Sequence, residues 1–396
     1  MFKMLVLVLC FGTSVSAQIH SFVDIRDRLM STDGVTSELV DALPFYSVRM
    51  NGTSICYITN ASEIAVITSR GKKTYGTGVK KYIQTNHFKV WWDDRFVHFL
   101  DPAKSKATSY APFAPINNND LFIKPHAIGD SIAAFVNWNN EIILLENGQV
   151  KNLTALGSNN VNPENVNLDW MAWYYSPQQL DAIRASANQV RYSEAILIAG
   201  DNILGYTDIN GYFRCYYRGK DGNLDEYPPI VAGAGANTLA WVDLQGELKV
   251  LWKGKPHRLD FVDQESQGSL QVGDDLVAWL RADEALVAFS NGKQKVVELS
   301  GVRTFRVIDQ LLIYTAVDGS FNVFHDGEKF RLQQIEPNRF EAWGDRLVFM
   351  NRLNRLAGFW EGKAQEISKE VIQDYSMSGP MVQVILAPYR FKYFDY

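Results

Sequence analysis

From about residue 51 onward the chain alternates short apolar runs with turn-forming residues, and the run length rarely exceeds five to seven. Gly273 to Gly301 shows the pattern most clearly. Gly273-Asp274-Asp275 opens it, Leu276 to Trp279 reads as a strand ending on an aromatic, and Leu286 to Ser290 reads as a second strand. Asn291-Gly292 is a tight turn, and Lys295 to Leu299 a third strand. β-Branched and aromatic runs between turn formers are the signature of hairpins, and Asn-Gly supplies the positive φ angles of a two-residue loop. Thr304 to Ile308 adds a fourth strand before the pattern restarts.

The unit recurs. A turn, two polar positions, two apolar positions, a variable one and an aromatic appear at Asn51 to Tyr57, Asp93 to Phe99, Gly129 to Phe135 and Asn167 to Trp173. They return at Gly200 to Tyr206, Gly235 to Trp241, Gly273 to Trp279 and Ile308 to Tyr314, and at Gly344 to Met350 with Met in place of the aromatic. Successive starts lie 33 to 42 residues apart. Second strands ending in a tip glycine recur as well, for example Glu247 to Gly254, Phe321 to Gly327 and Leu356 to Gly362, and Lys often follows that glycine. Most units lack the 3.6-residue periodicity of a helical solenoid. A period near 36 residues holding three or four short antiparallel strands resembles a β-propeller blade. The resemblance is to the architecture and to no functional family. The WD dipeptide occurs once, as Trp92-Asp93, without a Gly-His partner in each unit. It implies an all-β propeller over residues 51–396, with eight four-stranded blades or seven as the alternative. Met381 to Leu386 and Tyr389 to Tyr396 are strand-like and suit the role of completing a blade begun at the other end.

Two regions depart from the repeat. Residues 18–50 space Phe22, Ile25 and Leu29 in near-helical fashion, which predicts a short helix or irregular segment packed on the body. In the fourth unit, Ser176-Pro177 is an N-cap and N1 pair ahead of good helix formers, predicting a helical insertion over 177–188. Insertions in repeat arrays map to loops on one face, often the binding face. Trp170, Trp173, Tyr174, Tyr175, Leu180 and Ile183 are therefore the candidate protein-contact surface.

Met1-Phe2-Lys3, an apolar run from Met4 to Phe11 and the small residues ending at Ala17 form the pattern of a secretory signal peptide, residues 1–17. The apolar run is too short to span a bilayer. The expected location is periplasmic or extracellular, with no transmembrane span and with membrane association only through a partner. A formal net charge of −5 argues against a nucleic-acid binder, which needs a concentrated basic surface. Cys56 and Cys215 both sit in apolar runs, where a buried thiol is the economical reading, although an oxidising compartment would permit a disulfide.

No catalytic motif stands out. The six histidines form no HxxxH pair and lie outside zinc spacings with cysteine, so no metal or other cofactor is expected. Carboxylates recur at the unit starts as Asp94, Asp130, Asp201, Asp274, Asp309 and Asp345. In a closed ring they would converge on the central channel, although Gly-Asp also suits a plain turn from one blade to the next. Two functions follow. The first is a non-enzymatic exported scaffold or accessory subunit that binds another envelope or secreted protein, as at an outer-membrane secretion or assembly machine. The alternative is a carbohydrate-binding or glycoside-processing propeller using funnel carboxylates, with Asp94, Asp169 and Asp274 as its candidates.

Overall fold

A computed structural model describes residues 20–23, 28–32, 37–42, 45–50, 54–85, 87–93, 96–101, 107–110, 126–136, 141–153, 196–379, 381–387 and 390–395. Among them are ten antiparallel sheets, each a meander of consecutive strands. We number them in chain order by residue span: sheet 1, 20–41; sheet 2, 45–75; sheet 3, 81–110; sheet 4, 126–152; sheet 5, 197–225; sheet 6, 231–261; sheet 7, 271–298; sheet 8, 302–333; sheet 9, 340–371; sheet 10, 374–395. Sheets 1 and 10 have three strands and the other eight have four.

Period-2 alternation puts successive side chains on opposite faces of a strand, and here both faces are buried. In sheet 7, Leu276, Ala278, Leu286 and Ala288 pack toward sheet 8, with Leu312, Tyr314 and Phe324. The intervening Val277, Trp279, Val287 and Phe289 pack toward sheet 6, with Ala240, Val242 and Val250. The same arrangement repeats along the chain, so among the described residues the core forms nine apolar slabs, one between each consecutive pair of sheets. This is why the second and third strands of the four-stranded sheets read as largely apolar runs: none of their described side chains is exposed. First strands of neighbouring sheets touch one another, which places them innermost, while the fourth strands are largely exposed.

Several expectations change. The frame of the repeat shifts by one strand. The recurrent Gly-Asp turn joins the first and second strands of one sheet, as at Gly273, between Gln271–Gly273 and Leu276–Leu280. It does not connect one sheet to the next. The fourth strand read at Thr304 to Ile308 is the first strand of sheet 8, Val302–Ile308. Asp93 to Phe99 is likewise out of phase, because Asp93 and Phe96 lie between the second and third strands of sheet 3, the Asp93 N–H donating to Phe96 O at 3.1 Å. The N-terminal segment is not helical in its described part. It supplies the strands His20–Val23, Leu29–Thr32 and Ser37–Asp41, and Phe45–Met50 already belongs to sheet 2. Leu29 of sheet 1 is buried against Ile55, Tyr57 and Ile67. At the other end, Met381–Ala387 pairs with Asp374–Ser378 and Arg390–Asp395, so these strands build a sheet of their own and do not complete another. Ten sheets thus replace the expected eight, because the repeat begins earlier and ends later than its clearest copies.

The helical insertion at 177–188 lies outside the described residues. Sheets 4 and 5, which flank residues 153–196, pack directly on each other through Ala134, Leu144, Leu204 and Tyr206.

Candidate functional site

The innermost turns of sheets 4 to 9 are stitched together. The Ser131 N–H donates to Asp201 O at 2.9 Å, Asn202 N–H to Ala236 O at 3.0 Å, Asp274 N–H to Asp309 O at 2.6 Å and Gln310 N–H to Gly344 O at 3.2 Å. The turns approach so closely that a Cβ on Gly200 would stand 1.6 Å from Gly235 O, and one on Gly235 would stand 1.8 Å from Gly273 O. Only glycine permits that contact. Carboxylates complete the stitching. Asp201 Oδ1 accepts the Asp130 N–H at 3.2 Å, Asp274 Oδ1 the Ala236 N–H at 2.9 Å, and Asp309 Oδ2 the Gly344 N–H at 2.6 Å.

Asp201, Asp274 and Asp309 thus lie near one another and near Asp130, and each spends an oxygen on a neighbouring sheet. Burial, reinforced by the Asp201, Asp309 and Asp130 charges, pushes Asp274 up to about 7. Burial and then the Asp130 charge raise Asp201 to about 6, and burial raises Asp309 as well. Among the described residues no group of three or more His, Cys, Asp or Glu side chains is placed to hold a metal ion. Of the funnel candidates only Asp274 is described. Asp94 and Asp169 lie outside the described residues, as do Trp170, Trp173, Tyr174, Tyr175, Leu180 and Ile183. Cys56 and Cys215 are free and buried in sheets 2 and 5, each thiol pushed up to about 12 by burial. His98 is engaged by Asp93 at 2.8 Å and Ser109 at 2.7 Å, and His87 by Asp101 at 3.2 Å.

The family model of the 10-bladed beta propeller domain matches residues 13–395. The chain is a ten-bladed β-propeller. The sheets are its blades, and the innermost turns line its axis. No curated protein matches the propeller in sequence. Among solved structures it is similar to the computationally designed Ika8 protein (12% identity, 81% of this chain and 97% of that one, TM-score 0.37). It is also similar to BamB from Moraxella catarrhalis (12% identity, 80% and 94%, TM-score 0.35). A third is PorZ, described as a bacterial surface component of the type-IX secretion system of Porphyromonas gingivalis (10% identity, 94% and 57%, TM-score 0.28).

A four-stranded meander presents its first-to-second and third-to-fourth turns at one end. The second-to-third turn and the connection to the next blade lie at the other, and in blades 5 to 9 the two ends differ in kind. Between residues 196 and 373 twelve large apolar side chains are exposed, and eleven of them lie at the second end. They alternate between second-to-third turns (Ile209, Leu244, Val317, Leu353) and the ends of fourth strands or the connections after them (Phe261, Leu299, Ile335, Val371). Phe261 is 71% exposed and Leu299 74%. The turns that hold these residues out are rigid. Asp208 Oδ1 accepts the N–H groups of Asn210 and Tyr212, Asp243 Oδ1 those of Gln245 and Glu247, and Asn351 Oδ1 those of Leu353 and Arg355. Asp208-Ile209-Asn210-Gly211, which carries part of a calcium-loop pattern in sequence, is thus an Asx-type turn displaying an isoleucine. Sequence reasoning missed this set. Its signal was the apolar residue recurring inside otherwise polar turns, which becomes visible only when the turn is assigned to the correct strand pair.

The opposite end carries the hairpin tips. There Arg218, Lys220, Lys253, Lys255, Lys293 and Lys363 outnumber Asp326, Glu328 and Glu361.

Proposed function

We propose that this propeller is an exported, non-enzymatic binding scaffold that holds another protein of the cell envelope or the extracellular space. The observation that supports the reading is the array of exposed apolar side chains on turns at one end of five consecutive blades, 5 to 9. Each such side chain costs solvation free energy in the free protein, about 25 cal/mol per Å² of apolar surface, and that energy is recovered when a partner covers it. Single exposed apolar residues are ordinary; their concentration at one end of a rigid frame is the feature that suits docking. The axial carboxylates support a structural role in the same picture, since their oxygens hold neighbouring blades together through backbone N–H groups.

Site-specific photocrosslinking in cells tests the reading. A photoreactive residue replaces Leu244, Leu299 or Leu353 at the apolar end, or Lys293 or Lys363 at the opposite end. The expected result is one discrete protein adduct from the first three positions and none from the last two. Absence of any adduct, or the same adduct from both ends, would sink the proposal.

A further inference from the structure

The loops at the apolar end are net negative. Over 208–212, 243–246, 281–285, 317–320 and 351–354, and over the connections 226–230, 262–270, 299–301, 334–339 and 372–373, nine carboxylates face three arginines and no lysine. Two of those arginines are spent: Arg339 pairs with Glu341 and with Asp374 at 3.0 Å, and Arg281 with Asp283 at 3.6 Å and Asp260 at 3.8 Å. Asp208, Asp243 and Asp318 are likewise engaged, by Arg214 at 3.6 Å, Lys249 at 2.7 Å and Arg331 at 3.9 Å. Among the described residues Glu226, Glu265, Glu284 and Glu336 make no ion pair, and all four are exposed. They stand beside the apolar positions in sequence: Glu226 precedes Tyr227, Glu336 follows Ile335, and Glu265 lies in the connection that follows Phe261.

The same end holds a cleft of about 320 Å³ between blades 8 and 9. Ile313, Phe321 and Phe340, which pack between blades 8 and 9, supply its apolar wall, and Thr304, Arg306, Thr315, Glu336 and Arg339 also line it. Its residues flank the second-to-third turn of blade 8 and include the connection to blade 9, so it belongs to the apolar end. A cleft of this size accepts one large side chain.

Resting on the docking role proposed above, we infer that the occupant of this end is a protein segment in which apolar side chains alternate with Lys or Arg. One of its apolar side chains fills the cleft beside Phe340, and its cations face the unpaired glutamates. The charge selects this class over an anionic lipid surface, which the same carboxylates repel. It also selects against an acidic segment of equal hydrophobicity. The apolar knobs supply affinity, and the carboxylates supply sign and on-rate.

The test uses the mature protein and labelled 16-residue peptides as probes: a Leu/Lys amphipathic peptide, its Leu/Glu counterpart, and a Ser/Lys peptide lacking the apolar side chains. Fluorescence anisotropy should show the Leu/Lys peptide binding at least ~10-fold more tightly than either control, a difference of about 1.4 kcal/mol. Leu299→Ser with Leu353→Ser, Glu336→Lys with Glu226→Lys, and Thr304→Trp, which fills the cleft from an exposed position, should each weaken binding ~10-fold. Lys293→Glu with Lys363→Glu at the opposite end should leave it unchanged. Equal binding of the Leu/Glu peptide, equal binding of the Ser/Lys peptide, or indifference to all three apolar-end variants overturns the inference. Binding to anionic phosphatidylglycerol vesicles that those variants abolish would overturn it in favour of a membrane. A concentration-dependent dimer in sedimentation that the same variants abolish would point instead to a second copy. If the crosslinks form at Leu299 and Leu353 while the Leu/Lys peptide does not bind, the docking role stands and the cationic chemistry falls. If both fail, the docking role fails with it.

Discussion

Gly235 and Asp274 show how single residues hold this propeller at its axis. The Gly235 Cα faces the Gly273 carbonyl oxygen of the next blade, and backbone cannot swing aside as a side chain can. Gly235→Ala should therefore cost about 2–3 kcal/mol in urea unfolding, the scale of an overpacked core. Gly222→Ala should stay within ~0.5 kcal/mol, because nothing lies within 4 Å of its added methyl. Asp274 carries the opposite lesson, since its N–H acceptor role comes with a cost in charge. Its pKa of about 7 in the fold lies well above the ~3.9 of an unfolded chain. The folded state thus binds that proton more tightly, and the stability this contributes is present below about pH 4 and lost as pH rises through 7. Asp274→Asn can still accept the Ala236 N–H but never ionises. Differential scanning calorimetry should find it more heat-stable than the parent at pH 8, with the advantage gone near pH 4. Recurrent aspartates were legible in the sequence. Their approach to one another, which raises the pKa values, was not, because it depends on how blades 70 residues apart are arranged around an axis.

Hairpins between third and fourth strands are the elements that sequence reading identifies best. Asn147-Gly148, Asn291-Gly292 and Asp326-Gly327 have positive φ at both positions, the conformation of the type I′ loop whose twist matches the strands. Blade 9 uses the same geometry with a poorer residue: Glu361 has φ 48° ahead of Gly362 at 70°. A left-handed conformation costs an ordinary L-residue about 1–2 kcal/mol, and Asn less. Glu361→Asn should raise stability by ~0.5–1 kcal/mol in chemical denaturation, with the m-value unchanged. The second-to-third turns were harder to read. Asp243-Leu244-Gln245-Gly246 contains the same turn formers as a tip, and nothing local distinguishes the end of the blade to which it belongs. Assigning each turn required the strand register, for example Thr238 opposite Trp252 and Val242 opposite Leu248.

At the scale of the whole molecule, the described residues form ten thin sheets with nine apolar slabs between them, and the surface of blades 5 to 9 is unequal at their two ends. Replacing Leu299, Leu353 and Val371 with Ser together removes exposed apolar area without touching a slab. The triple variant should shift unfolding free energy by less than ~1 kcal/mol while reducing retention on a hydrophobic-interaction column and binding of an apolar dye. A large loss of stability would mean that these side chains pack within the blade and do not serve a partner.

Alternating apolar runs, tip glycines and a 33-to-42-residue spacing were enough for the sequence to determine an antiparallel β-repeat with buried strand faces, because period-2 burial and turn geometry are local properties. Three things were decided only by the tertiary structure. The cut between blades depends on which strand lies innermost, a contact between residues one repeat apart. The number of blades depends on whether atypical terminal strands such as Leu29–Thr32 and Arg390–Asp395 pair with their own neighbours, which register alone settles. The apolar end exists because a meander sends alternate turns to opposite ends of the blade. Residues scattered singly along the chain, among them Leu244, Phe261, Leu299 and Leu353, are thereby gathered at one end.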